Sequence, residues 1–341
     1  MTSLKFEYIW LDGNQPEPKL RSKTKVLNLN NYQGQLDGLP EWSFDGSSTQ
    51  QADGHSSDCI LRPVRVYADP SYADSYLVMC EVYNAEGKPH ATNTRNQIED
   101  QADFWFGFEQ EYAIMKNGKP LGFPTDGFPS PQGPYYCAVG TGNVDGRDMV
   151  YEHLNLCLKA GIGITGVNAE VMLGQWEYQC FGKGGKKASD DLWVSRYLLH
   201  RVSEKYGVQI ELHPKPVQGD WNGSGMHTNF SNAPMREQGG EELMKTICDA
   251  LGKVHDDHMA VYGSNNDLRL TGLHETQHIS KFSYGISDRG ASIRIPISTA
   301  QDDWTGYLED RRPASNADPY LIVQKIINTV DGAMKSMAVS V

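Results

Sequence analysis

The sequence lacks an excess of basic residues. Among its 341 residues, Lys and Arg together number 31, against 43 Asp and Glu, which gives a formal net charge of −12. Proteins that bind nucleic acid need a basic surface that neutralises the phosphates. The charge balance therefore excludes nucleic acid as an expected partner, although it leaves room for a local basic pocket.

Paired cysteines, long apolar runs and a secretion signal are missing as well. The six cysteines are scattered without a C-x-x-C pair, which disfavours zinc-knuckle and thioredoxin-like sites. No apolar run reaches the length of a membrane span, and the first residues lack the basic start and apolar core of a signal peptide. We therefore expect a cytoplasmic protein without a membrane partner.

The distribution of strand and helix patterns predicts an α+β fold. Residues 1 to about 90 carry strand patterns, clearest over 4–11 and 75–83, and little helical periodicity. A polar stretch over 84–103 predicts a domain boundary near residue 90, with one domain over 1–90 and another over 91–341. In the second domain, β-like segments alternate with helices expected over 147–160, 191–206 and 240–261 and from Pro319 onward. This order favours a mostly antiparallel sheet surrounded by helices.

Three segments match known motifs but lack the flanking structure or residues that these motifs require. HETQH, from His274 to His278, fits a zinc-hydrolase pattern, but Gly and Ser flank it where a helix is required, so zinc hydrolysis is only a minor alternative. GIGITG, over 161–166, fits a dinucleotide loop, yet it follows a helix and precedes a strand. GKGGKKAS resembles a phosphate loop, but Lys187 replaces the required Ser or Thr. We interpret residues 183–187 as a mobile basic loop.

Two pairs of acidic residues form the first candidate site. In FWFGFEQEY, the strand period of two places Glu109 and Glu111 on the face opposite three phenylalanines. In NAEVMLGQWEY, a turn at 173–174 would place Glu170 directly opposite Glu177, where like charges repel. A Lys could relieve this repulsion, but Mg²⁺ or Mn²⁺ would do so better, because carboxylate oxygens are their preferred ligands.

A histidine and several arginines extend this candidate site. His227 begins a strand in which Asn229 and Ser231 share its face, after a glycine-rich approach. The guanidinium fork binds carboxylate and phosphate in a bidentate manner, so arginines near acids suggest an anionic substrate. Surface ion pairs remain the alternative for any single arginine. The arginines in question are Arg269, Arg289, Arg294, Arg311 and Arg312.

Seven motifs in one order resemble the glutamine synthetase family, in its type II, eukaryote-like form. The motifs are EWSFDGSST (41–49), WFGFEQEY (105–112), NAEVMLGQWEYQ (168–179), NGSGMHTNFS (222–231), TGLHETQHISKFSYG (271–285), ASIRIP (291–296) and GYLEDRRPASNADPY (306–320). The resemblance implies a small β-grasp N-terminal domain and a larger catalytic α+β domain whose antiparallel sheet forms an active-site barrel. It also implies ligation of ammonia to glutamate with ATP through a γ-glutamyl phosphate.

The resemblance further implies an assembly and a substrate set. The expected partners are glutamate, ammonium and ATP, and the expected homo-oligomer is a decamer of two pentameric rings with active sites between subunits. A paralogous ligase that joins glutamate to another amine is the alternative. FGKGGKKAS departs from the family pattern beside the nucleotide, and so does Ile297 after the ASIRIP motif.

The family's site residues carry over position by position. Two or three Mg²⁺ or Mn²⁺ ions are expected on six ligands, which are Glu111, Glu170 and Glu177 for one site and Glu109, His227 and Glu309 for another. The residues expected to bind glutamate are Asp220, Trp221, Asn222, Arg269, Arg289 and Arg311. The residues expected at the nucleotide are Trp105, Glu177, Asn229, Ser231, Arg236, Arg289, Arg294 and Tyr307, of which Arg289 and Arg294 also face the transferred phosphoryl group. For ammonium, the resemblance implies Asp45 of a neighbouring subunit as the base, Tyr136 in the binding pocket and Glu275 on a flap that excludes water.

Overall fold

The computed structural model of this protein describes residues 2–99, 103–131 and 133–339. Residues 100–102, near the end of the predicted boundary stretch 84–103, lie outside the described residues. The described chain forms two β-sheets and seven α-helices, so the predicted α+β class is confirmed.

The first sheet contains five strands in the spatial order β2-β1-β5-β4-β3. Their bounds are Thr2–Leu11 (β1), Leu20–Leu29 (β2), Trp42–Asp45 (β3), Asp58–Ala68 (β4) and Ser75–Tyr83 (β5). Only the β1–β5 ladder in this sheet is parallel. Alternate residues of β1, such as Phe6 and Tyr8, are buried in a core of this sheet, whereas Ile9 is buried in the main core of the protein. Both faces of β1 are therefore buried over its second half, Tyr8 to Leu11.

The second sheet carries nine strands and the candidate site. Their bounds are Trp105–Lys116 (β6), Lys119–Pro120 (β7), Ile164–Ala169 (β8), Gln175–Lys183 (β9), Gln209–Glu211 (β10), Met226–Ser231 (β11), Tyr284–Ile286 (β12), Ile293–Ile295 (β13) and Leu308–Asp310 (β14). The spatial order is β12-β13-β14-β11-β6-β9-β8, and β7 and β10 also pair with β6. In the described part of this sheet the β12–β13 ladder is parallel and the other ladders are antiparallel. Among the described residues no ladder joins β12 to β8, so the predicted barrel is not closed within one chain.

The helices confirm most of the periodicity predictions. Their bounds are Arg147–Lys159 (α1), Gly185–Tyr206 (α2), Ala233–Glu237 (α3), Glu241–Lys253 (α4), His255–Met259 (α5), Ile297–Gln301 (α6) and Pro319–Val339 (α7). The single helix expected over 240–261 is divided between α4 and α5. None of the helices in the described part of the chain combines the length and the apolarity that crossing a membrane requires.

The prediction of a mobile basic loop over 183–187 is wrong, because α2 begins at Gly185. Glycines allow the strand β9 to turn tightly into this helix. A Cβ on Gly182 would lie 2.7 Å from the Cα of Ala188, and one on Gly185 would lie 2.5 Å from Val323 of α7. Lys187 forms an ion pair with Asp191 one helical turn later. The basic residues therefore belong to a packed helix start.

Buried ion pairs join the first sheet to α2. Asp190 is fully buried and lies 2.8 Å from the Nε atoms of both Arg65, in β4, and Arg95. Tyr67 of β4 donates a 2.8 Å hydrogen bond to Asp191. A buried carboxylate is costly unless it is paired, so these contacts hold the first sheet against α2. The boundary near residue 90 stays a prediction.

Candidate active site

A cavity of about 580 Å³ opens over the second sheet. It is lined almost entirely by polar and charged side chains from β6, β8, β9, β11, β13, β14 and the loops beside them. Its lining residues are Glu109, Glu111, Tyr136, Asn168, Glu170, Val171, Glu177, Gln179, Asn222, Gly223, His227, Arg269, His274, Glu275, Thr276, Arg289, Arg294, Glu309 and Arg311. All six predicted metal ligands are among them.

Strand β6 supplies two of the acids by simple alternation. Phe104, Phe106 and Phe108 are fully buried, and Glu109 and Glu111 point into the cavity from the opposite face. The prediction of a shared acidic face is confirmed.

The first cluster consists of Glu111, Glu170 and Glu177, whose nearest carboxylate oxygens all lie within 4.8 Å of one another. The directly opposed pair across a ladder is Glu111 and Glu177, on β6 and β9. The predicted opposition of Glu170 and Glu177 is wrong, since Asn168 is the residue opposite Glu177. The three acids are nonetheless neighbours, because Glu170 follows the end of β8 at the same edge of the cavity.

The pairing register of β8 and β9 differs from the prediction because the turn between these strands is longer than two residues. Residues 170–174 form a loop closed by hydrogen bonds from the Glu170 amide to the Gln175 carbonyl and from the Gln175 amide to the Met172 carbonyl. Met172 and Leu173 are buried, and Gly174 has φ +80°, which a glycine adopts without strain. Leu-Gly is a poor two-residue hairpin turn, and burial of these apolar side chains favours the wider loop.

Burial and repulsion from neighbouring acids raise the pKa values of the first cluster. Burial, opposed by the positive charge of Arg269, raises the pKa of Glu111 to about 7. Burial and the charge of Glu111 raise the pKa of Glu170 to about 8, and burial together with Glu109 raises the pKa of Glu177 to about 9. Three carboxylates therefore share one pocket in which the ionised forms are disfavoured until a cation joins them.

The second cluster consists of Glu109, His227 and Glu309. His227 Nδ1 lies 3.3 Å from Glu109 Oε2 and 3.5 Å from Glu309 Oε1. Glu309 also pairs with two arginines, at 2.7 Å from Arg294 Nη1 and 2.6 Å from Arg311 Nη1. Burial, reinforced by Arg311, holds the pKa of His227 well below its usual range, so the ring is neutral.

The glycine-rich approach to β11 makes room for a buried arginine. Arg269 Nη2 donates to His227 Nε2 at 3.0 Å and to the Arg311 carbonyl at 3.1 Å. A Cβ on Gly225 would lie only 2.3 Å from the same Nη2 atom, so NGSG before His227 is needed for this contact. Because a guanidinium only donates, Nε2 accepts and the proton of the neutral ring lies on Nδ1, facing Glu109.

Both clusters have the donor chemistry of divalent-cation sites. Five carboxylates and one imidazole suit Mg²⁺ or Mn²⁺ better than zinc. Glu109 and Glu111 are two residues apart on one strand, so the clusters lie about 7 Å apart along β6. Among the described residues no Lys or Arg forms an ion pair with Glu111, Glu170 or Glu177, whereas Glu309 of the second cluster pairs with two arginines, and this favours a cation at the first cluster most strongly.

The expected nucleotide residues form a strip that leads away from these clusters along β6 and β11. The ladder places Asn229 opposite Gly107 and Ser231 opposite Trp105. Asn229 Nδ2 donates to Glu109 Oε1 at 2.8 Å, and Arg236 donates to the Ser231 hydroxyl at 3.1 Å. The strip therefore runs from the second cluster to an aromatic and cationic end.

Two cations lie over the indole at that end. The Arg236 guanidinium carbon is 3.9 Å and Lys183 Nζ is 4.2 Å from the Trp105 ring centroid. Tyr307 is exposed and immediately precedes β14. These residues are outside the cavity lining, and Trp105 lies four residues before Glu109 on β6, which is about 13 Å along an extended strand.

Some of the residues expected to bind glutamate and ammonium line the cavity, and others lie outside it. Asn222, Tyr136, Arg289 and Glu275 line the cavity, together with Arg269 and Arg311. Asp220 is exposed and lies 2.9 Å from His274 Nε2. Trp221 is buried against Phe123, with ring centroids 5.1 Å apart, and so supports the loop that carries Asn222.

Asp45 does not line the cavity of its own chain. It ends β3 in the first sheet, is exposed, and accepts hydrogen bonds from the Ser47 and Ser48 hydroxyls at 2.7 Å. These hydrogen bonds lower the pKa of the Asp45 carboxyl, which keeps it ionised.

The HETQH segment is not helical, so its histidines do not share a helix face. His274 and Glu275 have φ of 52° and 59° in a loop, and His278 Nδ1 lies 2.9 Å from Ser280 Oγ. The zinc-hydrolase alternative therefore loses its structural basis. Glu275 points into the same cavity as the two acidic clusters.

Sequence reasoning missed two amides that support the first cluster. Asn168 Nδ2 donates to Glu170 Oε1 at 3.0 Å, and Gln179 donates to both Asn168 Oδ1 and Glu177 Oε1. Each stands two residues from a predicted acid, Asn168 before Glu170 and Gln179 after Glu177. The period-two rule applied to polar residues could have found them.

Comparisons with known proteins agree with this geometry. The glutamine synthetase β-grasp domain family matches residues 4–85, and the glutamine synthetase catalytic domain family matches residues 91–338. The chain is 57% identical to a glutamine synthetase of Bradyrhizobium diazoefficiens over 97% of each chain. It is 55% identical to one of Rhizobium meliloti over 94% of this chain and 98% of the relative, and 50% identical to one of Streptomyces viridochromogenes over 98% of each.

Proposed function

This chain belongs to the glutamine synthetase family, and from this premise we propose how its cavity joins ammonia to the γ-carboxylate of glutamate with ATP. The reaction proceeds through a γ-glutamyl phosphate and releases ADP and phosphate. The observation that carries this assignment is the presence of two acidic clusters and four arginines around one cavity. Charge neutralisation on both sides of a transferred phosphoryl group is the main requirement of this chemistry.

The cation sites come from the two clusters. Glu111, Glu170 and Glu177 would hold one Mg²⁺ or Mn²⁺ ion and Glu109, His227 and Glu309 a second, with room for a third when the nucleotide is bound. These cations supply positive charge to the phosphates of ATP and to the glutamate carboxylate. The nucleotide lies along the strip from Asn229 and Ser231 to Trp105, Arg236 and Tyr307, and Glu177 contributes from the cavity.

Two arginines bind the transferred phosphoryl group, and two others bind glutamate. Arg294 and Arg289 face the phosphoryl group, and Arg269 and Arg311 face glutamate together with Asn222 and its neighbours Asp220 and Trp221. Arg294 and Arg311 are held in place by Glu309, which orients both guanidinium groups before substrate enters. This pre-ordering lowers the entropic cost of bringing the two anions into line.

Ammonium needs a pocket for the cation and a base for its proton. Tyr136 lines that pocket, and Glu275 covers the reacting carboxyl against water. Asp45 acts as the base from a neighbouring subunit, because it lies outside the cavity of its own chain. This arrangement supports a homo-oligomer with shared sites, which we take to be a decamer of two pentameric rings in the cytoplasm.

The function is tested by phosphate release from ATP in the presence of glutamate. We expect release that depends on ammonium and a divalent cation and that is matched by glutamine formation. A panel of alkylamines in place of ammonium distinguishes a paralogous ligase. Release that is stimulated by an alkylamine and not by ammonium would refute the assignment.

The shared site is tested by mixing two inactive variants, Asp45→Asn and Glu177→Gln. A mixed oligomer contains some sites in which both residues are intact, so activity should return after the subunits are dissociated and reassembled together. The control is each variant reassembled alone. Absence of recovery from mixed particles of the correct mass would contradict a base supplied by the neighbour.

A further inference from the structure

The loop that carries Glu275, which we call the 271–281 loop, needs external support. His274 and Glu275 both have left-handed φ angles, 52° and 59°, which cost energy for residues other than glycine. On the cavity side, Arg311 Nη2 donates to the Glu275 carbonyl, but this contact is long, at 3.4 Å. The Ile279 amide donates to the Leu270 carbonyl at 2.9 Å and so closes the base of the loop, and the Ile279 carbonyl accepts a further contact at the same point.

A second arginine lies just after β14, next in sequence to Arg311. Arg311 lines the cavity, whereas Arg312 is not among the residues that line it. Arg312 is buried and forms a bidentate pair with Asp310, with Nε to Oδ1 at 2.8 Å and Nη2 to Oδ2 at 2.7 Å. This pair fixes the guanidinium, because both of its bonds are charge-assisted and buried.

His255 of α5 connects this fixed guanidinium to the 271–281 loop. Its Nδ1 lies 3.2 Å from Arg312 Nη1, and its Nε2 lies 2.7 Å from the carbonyl oxygen of Ile279. A guanidinium cannot accept, so Nδ1 is the acceptor and the ring proton is on Nε2, where it donates to Ile279. The ring is 8% exposed. Arg312 thus sets the tautomer that the loop contact requires.

We propose that His255 is a positioning residue that holds the 271–281 loop, and with it Glu275, closed over the reacting carboxyl. The proposal rests on the function proposed above, and it adds a residue that contacts neither substrate nor cation. Its contact with Ile279 is much shorter than the contact of Arg311 with Glu275, and the two hold the loop at different residues. Loss of the His255 contact would admit water to the acyl phosphate while leaving the substrate-binding groups in place.

The test is a comparison of His255→Asn with His255→Gln. A Gln side chain reaches far enough to present an amide N–H near the Nε2 position, whereas Asn is too short to contact Ile279. The measured quantity is excess phosphate, meaning phosphate released without an equivalent of glutamine, at limiting ammonium. We expect His255→Asn to raise excess phosphate about fivefold to tenfold, as for the loss of one ordinary hydrogen bond, and His255→Gln to stay within about twofold of wild type.

A matched control lies on the same loop. His278 bonds to Ser280 within the loop, so His278→Gln should leave excess phosphate unchanged. A general loss of stability lowers total activity without changing the phosphate-to-glutamine ratio, so the ratio separates positioning from folding. If His255→Asn does not fold, His255→Met fills the ring volume without a donor and should show the same excess phosphate.

The outcomes separate this proposal from the assigned function. An active wild-type enzyme with the same ratio in every His255 variant would overturn the positioning role alone. The same holds if Gln and Asn raise the ratio equally. A wild-type chain without ammonium-dependent release would instead refute the ligase function.

Discussion

The two clusters of candidate ligands share one strand but differ in how their charge is balanced. Glu111, Glu170 and Glu177 form a site of three acids, and burial with repulsion from neighbouring acids, Glu109 among them, raises the pKa of each. In the other cluster, Glu309 is already paired with Arg294 and Arg311. The chain thus balances one site with its own cations and leaves the other to an added cation.

This difference in charge implies that two similar sets of ligands have different affinities for a divalent cation. A cation that enters the first cluster relieves repulsion among three carboxylates, whereas one that enters the second must compete with two guanidinium groups. We therefore expect tighter binding at the first cluster. Arg294 and Arg311, which pair with Glu309, can also bind an anionic substrate, because a guanidinium group forms the same kind of bidentate contact with carboxylate and with phosphate.

The largest expected effect comes from removing an acid of the first cluster. Glu177→Gln should reduce kcat/KM by about a hundredfold to a thousandfold, because cation stabilisation of the phosphoryl charge is worth several kcal/mol. Steady-state assays at saturating cation give the value. Glu204→Gln, at an exposed glutamate of α2, is the control and should change nothing. A loss of less than tenfold in Glu177→Gln would contradict a ligand role.

The second prediction concerns stability as a function of pH. The folded chain keeps protons on Glu111, Glu170 and Glu177 up to pKa values of about 7, 8 and 9, whereas the unfolded acids lose them near 4.5. The unfolded state then binds fewer protons, so without a cation the free energy of unfolding falls as the pH rises from about 4.5 to 9. A divalent cation replaces these protons, so it should raise the Tm more at about pH 8.5 than at about pH 6.

Thermal unfolding with and without Mg²⁺ at the two pH values measures this effect. Glu170→Gln removes one of the titrating acids and should weaken the pH dependence. A Tm increase that is the same at both pH values would show that the first cluster does not exchange protons for the cation.

The third prediction concerns the cation affinity of the second cluster after one of its neighbouring positive charges is removed. Arg294→Gln removes a positive charge 2.7 Å from Glu309, so the affinity of this cluster for Mn²⁺ should rise about tenfold even though activity falls. Mn²⁺ titration followed by electron paramagnetic resonance, without nucleotide, separates the two sites. Arg201→Gln, at an exposed arginine, is the control. Unchanged affinity would mean that the arginine does not compete with the cation.

The smallest effects are expected from the amides that support each cluster. Asn229→Ala removes a 2.8 Å bond to Glu109, and Asn168→Ala removes a 3.0 Å bond to Glu170. Each should weaken Mn²⁺ binding at its own cluster by about threefold to tenfold, in line with the loss of one hydrogen bond. The two variants serve as controls for each other. Equal weakening of both sites by either variant would indicate that the clusters act as one unit.

Local patterns predicted the faces of the strands but not the lengths of their connections. The alternation in β6 placed Glu109 and Glu111 on the cavity face, and the last helix begins at Pro319 as predicted. The turn before β9 was predicted too short, because burial of Leu173 decides the loop and burial depends on the rest of the fold. For the same reason, residues 183–187 were read as a loop, although α2 begins at Gly185, which packs closely against Val323 of α7.

The sequence by itself determined the chemistry of this protein. The order of its motifs identified the family, and the period of two identified which acids share a face. Only the tertiary structure decided which acids oppose each other, which arginines neutralise Glu309, and that His255 connects Arg312 to the loop of Glu275. Side-chain direction follows from local backbone geometry, whereas these contacts join segments far apart in the chain and depend on how the whole sheet is packed.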